Sequence, residues 1–325
     1  MQGYSISACN TGEIKADVFS QMTVLFNTIF DKAYTESYFQ RKYTRSALGY
    51  SFHAILSYGD KVVGSFSVIP RIYQCNGTDK IVGMACDAFI DEDYRKDELL
   101  LKKMFDSLQQ ILEANKVFFL ISIPNPIAYP YWKYMVKWKD IGDLSYYVLP
   151  IHAGVVLKNK LSKLINVFNH LFVYTTAWML APFQRKNNSS DMYKIMPYAL
   201  KRDNALLEQR FDDTYLSLNE GGIKFYIRFY EEQGSQVAYI MDVIPMNKSN
   251  LDYVAAYVTR HFAHKTDMIM YIGSLNFTPR LLYKLPKTKE PRRQPFIGKY
   301  VGTAADRAIF DYSNWSIGLA DFDNR

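Results

Sequence analysis

Residues 87–101 read DAFIDEDYRKDELLL. An apolar run closes at Ile90, a polar loop with a single arginine, Arg95, makes the turn, and a helix starts near Glu98. The first N–H groups of a helix have no intrahelical partner and attract anions. Arg95 would add a directed positive charge there. Upstream, residues 80–90 pair with 71–75 across Asn76-Gly77, the strongest two-residue hairpin dipeptide. Residues 52–58 and 61–69 flank Gly59-Asp60 as a second hairpin, and Pro70 is expected to end its second strand. Before these, residues 2–8 read as a short strand. Residues 16–30 carry Val18, Met22, Leu25, Phe26 and Ile29 at helical spacing, and 35–43 form a second helix. Downstream, the helix over 98–113 puts Leu101, Met104, Leu108 and Leu112 on one face. KVFFLISI, residues 116–123, is the continuous apolar run of a buried strand. Pro124-Asn125-Pro126 breaks it, a short helix covers 129–136, and 143–153 is expected to be the last strand of this half.

The second half repeats the alternation. Strands are expected over 193–199, 224–231, 236–244, 268–272 and 315–322, with two extended pieces within 280–300. Helices are expected over 204–211 and 251–262. From Asp87 to Val117 is 30 residues, and from Asp242 to Met268 is 26. Each interval holds a helix between two strands, so a duplicated unit is expected at an offset of about 155. The shared tripeptides Val68-Ile69-Pro70 and Val243-Ile244-Pro245 stand 175 apart and are read as coincidence. The fold class expected is mixed α/β, with two tandem units whose sheets are largely antiparallel and flanked by helices. The boundaries are 1–155 for the first unit, 156–186 for a connecting apolar helix and 187–325 for the second.

The 325 residues suit two domains at roughly 150 each. Hydrophobic residues make up 49% and charged residues 22%, which excludes disordered and low-complexity classes. The excess of 39 basic over 32 acidic residues, +7, is scattered. It suits a small anionic ligand or an anionic surface better than a nucleic acid, and no nucleic-acid partner is expected. Cys9, Cys75 and Cys86 are too few for a disulfide framework, and the five histidines show no metal-ligand spacing, so no metal is expected. A reducing, cytoplasmic location is expected. Residues 164–183, LINVFNHLFVYTTAWMLAPF, carry no formal charge. Asn166, Asn169, His170 and two threonines would be costly in lipid. The segment is read as a buried connecting helix, with peripheral contact at a membrane surface as the alternative.

The order of elements around the quoted stretch resembles the GNAT N-acetyltransferase superfamily. Three motifs carry a closer resemblance to tandem GNAT proteins of bacterial cell-surface and polysaccharide loci. They are Tyr38-Phe39-Gln40-Arg41-Lys42-Tyr43, the set Asp87, Phe89, Ile90, Asp91, Tyr94 and Arg95, and the pair Pro124-Asn125. The resemblance spans about residues 20–150 and implies acetyl-CoA as acyl donor, with a sugar, amino sugar or other small amine as acceptor. It implies that Phe89, Ile90 and Asp91 line the pantetheine arm. Arg95, Lys96, Asp97, Glu98, Leu99 and Leu100 correspond to the pyrophosphate loop. In that loop the family carries Gly and Gly/Ala where this chain has Glu98 and Leu100. A Cβ there keeps phosphates off the backbone, and Glu98 adds a like charge. Acyl transfer needs a base for the attacking amine and an acid for the leaving thiolate. Asp87 and Asp91 are the candidate groups to act as base or orient a water, and Asn125 the candidate orienting group for the ligand. The family's usual acid is a tyrosine at the position of Trp132, so Tyr131 and Tyr134 are the candidate substitutes. Two alternatives stand beside the acyltransferase: a catalytically inactive GNAT-like binding protein, and a Fem-type aminoacyl transferase.

Overall fold

Asn76 and Gly77 both take positive φ, 50° and 78°, as a type I′ hairpin turn requires. They join β3 (Lys61–Cys75) to β4 (Thr78–Ile90), which pair from Cys75–Thr78 to Gly64–Ile90. The Gly59-Asp60 hairpin joins β2 (Phe52–Tyr58) to β3, and β2 pairs with β1 (Tyr4–Asn10). A computed structural model describes residues 3–95, 97–152, 175, 190–232, 234–303 and 306–322. Lys96 and, apart from Thr175, the expected connecting helix over 156–186 lie outside the described residues. Among the described residues, seven α-helices and two sheets make a mixed α/β chain. No described helix is long and apolar enough to cross a membrane.

The chain divides into two units. The first comprises Met1–Gly142, Leu200–Gln209 and Pro295–Asp311. Its sheet continues from β4 to β5 (Val117–Ser122), then to the strand Pro295–Tyr300, then to β6 (Lys139–Asp143). Pairing is antiparallel from β1 to β4, parallel between β4 and β5, and antiparallel again between β5 and Pro295–Tyr300. Helix α3 (Leu100–Ala114) makes the crossover between the parallel strands. Its Leu100, Met104, Phe105, Leu108 and Leu112 are buried against Ala54, Leu56, Phe66, Val68 and Leu120 of one sheet face. Ile55 and Val62 point to the other face, where Met22 of α1 (Ala16–Phe30) covers them. Helix α2 (Glu36–Thr44) follows α1, and α4 (Ala128–Tyr134) follows β5.

The second unit comprises Asp143–Ala199, Arg210–Gln294 and Tyr312–Arg325. It contains β7 (Ser145–Pro150), α5 (Met192–Ile195), β8 (Tyr198–Leu200), β9 (Leu216–Glu220), β10 (Ile223–Glu232), β11 (Ser235–Ile244), α7 (Lys248–Phe262), β12 (Met268–Gly273) and β13 (Tyr283–Lys284). Helix α6 (Asn204–Arg210) precedes β9. The sheet order is β13-β7-β12-β11-β10-β9, with β11 and β12 parallel. Counting Pro295–Tyr300 as β14, the last strand is β15 (Trp315–Ser316), which pairs with β8.

Several elements differ from the sequence reading. β3 runs through Pro70, which pairs with Gly83. The Pro70 carbonyl accepts Ala47 N–H on the side away from β4, so the missing proline N–H removes no β3–β4 bond. The strand expected over 143–153 exists as β7 but joins β12 in the second sheet. β14 takes the place beside β5. Gly298 permits this, because a Cβ there would lie 2.4 Å from the Phe119 ring. Residues 193–199 begin as helix α5, whose first turn is capped by the Asp191 carboxylate accepting Tyr193 N–H at 3.2 Å. The strand over 315–322 is only two residues long, because Gly318 turns the chain and its N–H bonds the Asp321 carboxylate at 2.7 Å.

Candidate active site

β4 and β5 part company just before the quoted stretch. Their parallel ladder runs from Ile81–Val117 to Met84–Ile121. Ser122 Oγ, on the last residue of β5, then donates to Ala85 O at 3.1 Å. On its other edge β4 stays with β3 but gains a residue. Ser67 faces Cys86 and Ser65 faces Phe89, so Asp87 and Ala88 together oppose Phe66. This is a β-bulge, a device that re-aims side chains. Asp87 sits in it with φ at 48°, in the left-handed region that few non-glycine residues enter. β4 runs on to Ile90 past this point while β5 ends at Ser122, and this end of the ladder is the β4–β5 notch.

The bulge delivers the Asp87 carboxylate to α2. Lys42 Nζ lies 3.0 Å from Oδ1 and 2.8 Å from Oδ2, and Tyr43 OH donates to Oδ2 at 2.8 Å. The Lys42 and Asp87 side chains are 10% and 9% exposed. Burial pushes the Tyr43 hydroxyl well above the usual phenol range and the Asp87 charge adds to this, so Tyr43 remains a donor. The polar cluster continues inward at Ser67, which lies close enough to the Tyr43 hydroxyl to moderate that rise. Ser67 Oγ is 2.9 Å from His53 Nδ1, and His53 Nε2 is 2.9 Å from Thr11 Oγ1. His53 is fully buried, and desolvation pulls its pKa down to about 3, so the ring is neutral. Beside this cluster stands an aromatic wall. Phe26 of α1 is 5.6 Å from Phe89 and 4.9 Å from Phe39, and Phe39 is 5.9 Å from Tyr43.

The loop before α3 satisfies its own donors. Asp91 N–H bonds Val63 O at 2.8 Å, toward β3. Strand alternation turns the Ile90 backbone to the opposite side, and Arg95 Nε donates to Ile90 O there at 2.8 Å. Asp97 Oδ1 accepts Leu99 N–H at 2.9 Å, and Oδ2 pairs with Lys103 Nζ at 2.7 Å. Those two bonds hold the Asp97 carboxyl below its ordinary pKa. Leu100 N–H goes to Asp97 O at 3.2 Å. Tyr131 OH accepts Lys102 N–H at 3.1 Å and donates to Glu98 O at 2.7 Å. Burial raises the Tyr131 pKa. Three N–H groups at the start of α3 are thus already bonded within the chain.

No family model matches the chain, and no curated protein matches it. Solved structures do. A GCN5-related N-acetyltransferase from Anabaena variabilis aligns over 92% of this chain and 73% of its own, with a TM-score of 0.58 at 11% identity. A second, from Kribbella flavida, aligns over 91% and 71%, with a TM-score of 0.58 at 9% identity. Eis1 from Mycobacterium abscessus aligns over 92% and 74%, with a TM-score of 0.51 at 8% identity. The fold is that of the GCN5-related N-acetyltransferases. In this GNAT fold the residues singled out from the sequence fall into three places. Asp87, Phe89, Ile90 and Asp91 lie on β4 and its end, with Phe89 buried and Asp91 paired to Lys61 at 3.3 Å. Arg95, Asp97, Glu98, Leu99 and Leu100 form the loop and the start of α3, next to Tyr131. Asn125 stands apart from Asp87's cluster, its Oδ1 accepting Ala128 N–H at 2.8 Å to cap α4. Tyr134 is 62% exposed, and Trp132 is buried against Phe66, Phe105 and Trp138. The sequence reading gave Lys42, Tyr43, Ser67 and His53 no role. Lys42 and Tyr43 close the 38–43 motif, so two motifs 44 residues apart converge on one carboxylate.

Proposed function

We propose that the first unit is an acyltransferase, moving an acyl group from a thioester donor in the β4–β5 notch to a small amine or hydroxyl acceptor such as an amino sugar. The observation that carries this reading is the notch with Asp87 at its bulge. β4 runs past the end of β5 there, its Ala85 and Ile90 carbonyls accepting from Ser122 and Arg95, and Asp87 stands on that stretch. In this reading Asp87 takes the proton of the attacking amine, and Lys42 and Tyr43 orient its carboxylate. The Phe26, Phe39 and Phe89 wall shapes the acceptor side. Acetyl-CoA is the donor the fold implies. Its pantetheine arm suits the notch. Its diphosphate does not suit the loop, whose N–H groups are bonded to Asp97 and Tyr131. Incubation with an acetyl thioester and a panel of amino sugars tests the reading by thiol release. Turnover that falls at least 100-fold in Asp87→Asn supports it, and no turnover in any pairing rejects it.

A second reading, a binding protein without catalysis, is favoured by the same contacts. Both Asp87 oxygens and the Tyr131 hydroxyl are engaged by the chain itself. Acceptor binding without turnover would select it.

We also infer that the second unit repeats the first. Its parallel ladder ends at Tyr239–Met270, where the first ends at Met84–Ile121, an offset of 155 on the central strand. β11 also bulges just beyond that pair, between Ile240 and Asp242. Its crossover helix α7, like α3, has 15 residues. The loop between is closed differently. Asn247 Oδ1 accepts Asn250 N–H at 2.9 Å, and Asp191 Oδ1 accepts Met246 N–H at 3.1 Å. No donor is assigned to that unit.

A further inference from the structure

We propose that β1 is a pairing edge for a second copy of this chain, so that two first units join into one continuous sheet across a two-fold axis at Ile6. The inference does not depend on the acyltransferase reading.

β1 is the end strand of the first sheet, and its ladder with β2 runs from Tyr4–Tyr58 to Asn10–Phe52 without a bulge. Successive residues of a strand turn their N–H and C=O groups to opposite edges. Thr11 N–H bonds Ser51 O at 2.9 Å. Cys9, Ser7 and Ser5 therefore face β2, while Asn10, Ala8, Ile6 and Tyr4 face outward. Asn10 N–H is taken by the Glu13 carboxylate at 2.8 Å, which closes the edge at that end. The outward backbone groups of Tyr4, Ile6 and Ala8 have no partner among the described residues. Proteins usually guard such an edge with charge, proline, a bulge or brevity. The other edges follow that rule: β6 carries Lys139, Asp140 and Asp143, β9 ends on Glu220, and β13 has two residues. β1, YSISACN, has none of these guards. Its open stretch also fits itself. Antiparallel pairing about Ile6 sets Ile6 opposite its own copy, Ser5 opposite the second copy's Ser7, and Tyr4 opposite its Ala8. Every outward group then finds a partner, in the self-complementary way that a two-fold interface requires. Ile6 packs with Tyr58 and Leu56 in the layer that α3 covers, so the seam continues an apolar layer. Ser5 and Ser7 are exposed on the opposite face, where their hydroxyls meet across the seam. With no charge on the strand, two copies meet without like-charge repulsion.

Sedimentation velocity of the full chain over a concentration series tests the pairing, and a monomer–dimer equilibrium is the expected result. Ser5→Lys with Ser7→Lys changes only exposed positions and sets like charges opposite each other across the seam. It should weaken association about tenfold or more. Ser5→Lys with Ser7→Glu sets opposite charges there and should restore it. Hydrogen exchange reads the register. Between dilute and concentrated protein the amides of Ile6 and Ala8 should slow, while those of Ser5 and Ser7, already bonded to β2, should change far less. A chain that stays monomeric overturns the inference, as does a dimer indifferent to both double variants or one in which Ile6 and Ala8 do not slow. Slowing of Ile6 and Ala8 only when a separate extended peptide is added assigns the edge to another partner and overturns it equally.

Discussion

Lys42 Nζ, Tyr43 OH and the Asp87 carboxylate meet within 3.0 Å, with little access to water. Taking one charge from such a pair leaves the other desolvated and uncompensated, which costs more than the pair contributes. Lys42→Met should therefore lower stability by about 3 kcal/mol, measured by urea unfolding. Lys42→Met with Asp87→Leu should recover most of the loss, and a double variant as unstable as the single would count against the pairing. His53 gives a pH signature. Its pKa falls from 6.5 in the unfolded chain to about 3 in the fold. Its contribution is fully present above 6.5, where both states are neutral. As the pH drops from 6.5 toward 3 the unfolded state takes up a proton that the native state refuses, and stability is lost by up to about 1.4 kcal/mol per pH unit. His53→Gln, whose amide can meet Thr11 and Ser67, should show a shallower acid slope in unfolding midpoints across that window.

At the scale of elements, legibility followed the strength of local signals. Gly59-Asp60 and Asn76-Gly77 marked both hairpins because few dipeptides take those turn conformations cheaply. α3 was visible from its apolar spacing, although the buried row begins at Leu100 rather than Leu101 because the helix starts at Leu100. Pro70 misled because proline stops a strand only where its N–H would face a partner strand. The Asp87 bulge was invisible, since one extra residue in a ladder leaves no pattern in β4 alone. The two motifs that it joins were legible singly, but nothing in sequence spacing shows that a helix end and a strand bulge meet. Packing at the crossover gives two expectations. Leu108 is fully buried on α3, so Leu108→Ala should cost about 2–5 kcal/mol in unfolding free energy. At Gly83 a Cβ would lie 2.5 Å from both Leu120 Cδ2 and Val68 Cγ1. Gly83→Ala should cost about 1–3 kcal/mol by overpacking, and a neutral result would mean that β4 and β5 can separate there.

For the whole chain, residue order misassigns which strands complete which sheet. The apolar runs at 143–153 and 295–300 look like ordinary strands of their own halves, and hydrophobic pattern says nothing about a distant partner. Yet β7 pairs with β12, while β14 completes the first sheet on β5 with Ile297 opposite Ser122 and Tyr300 opposite Phe119. The first unit therefore cannot be made by cutting the chain after its last N-terminal strand. A fragment ending at Pro150 would expose the β5 edge, an apolar strand with open N–H and C=O groups, and would carry β7 without its partners. Such an edge templates association. The fragment should be aggregated or monomeric only in denaturant, as read by sedimentation velocity. The amides of Leu120 and Ser122, which share the edge of Phe118 toward β14, should exchange at least 100-fold faster in it than in the full chain, because the β14 ladder that protects them is missing. A monomeric fragment with those amides still protected would show that β14 is dispensable to the sheet holding the notch.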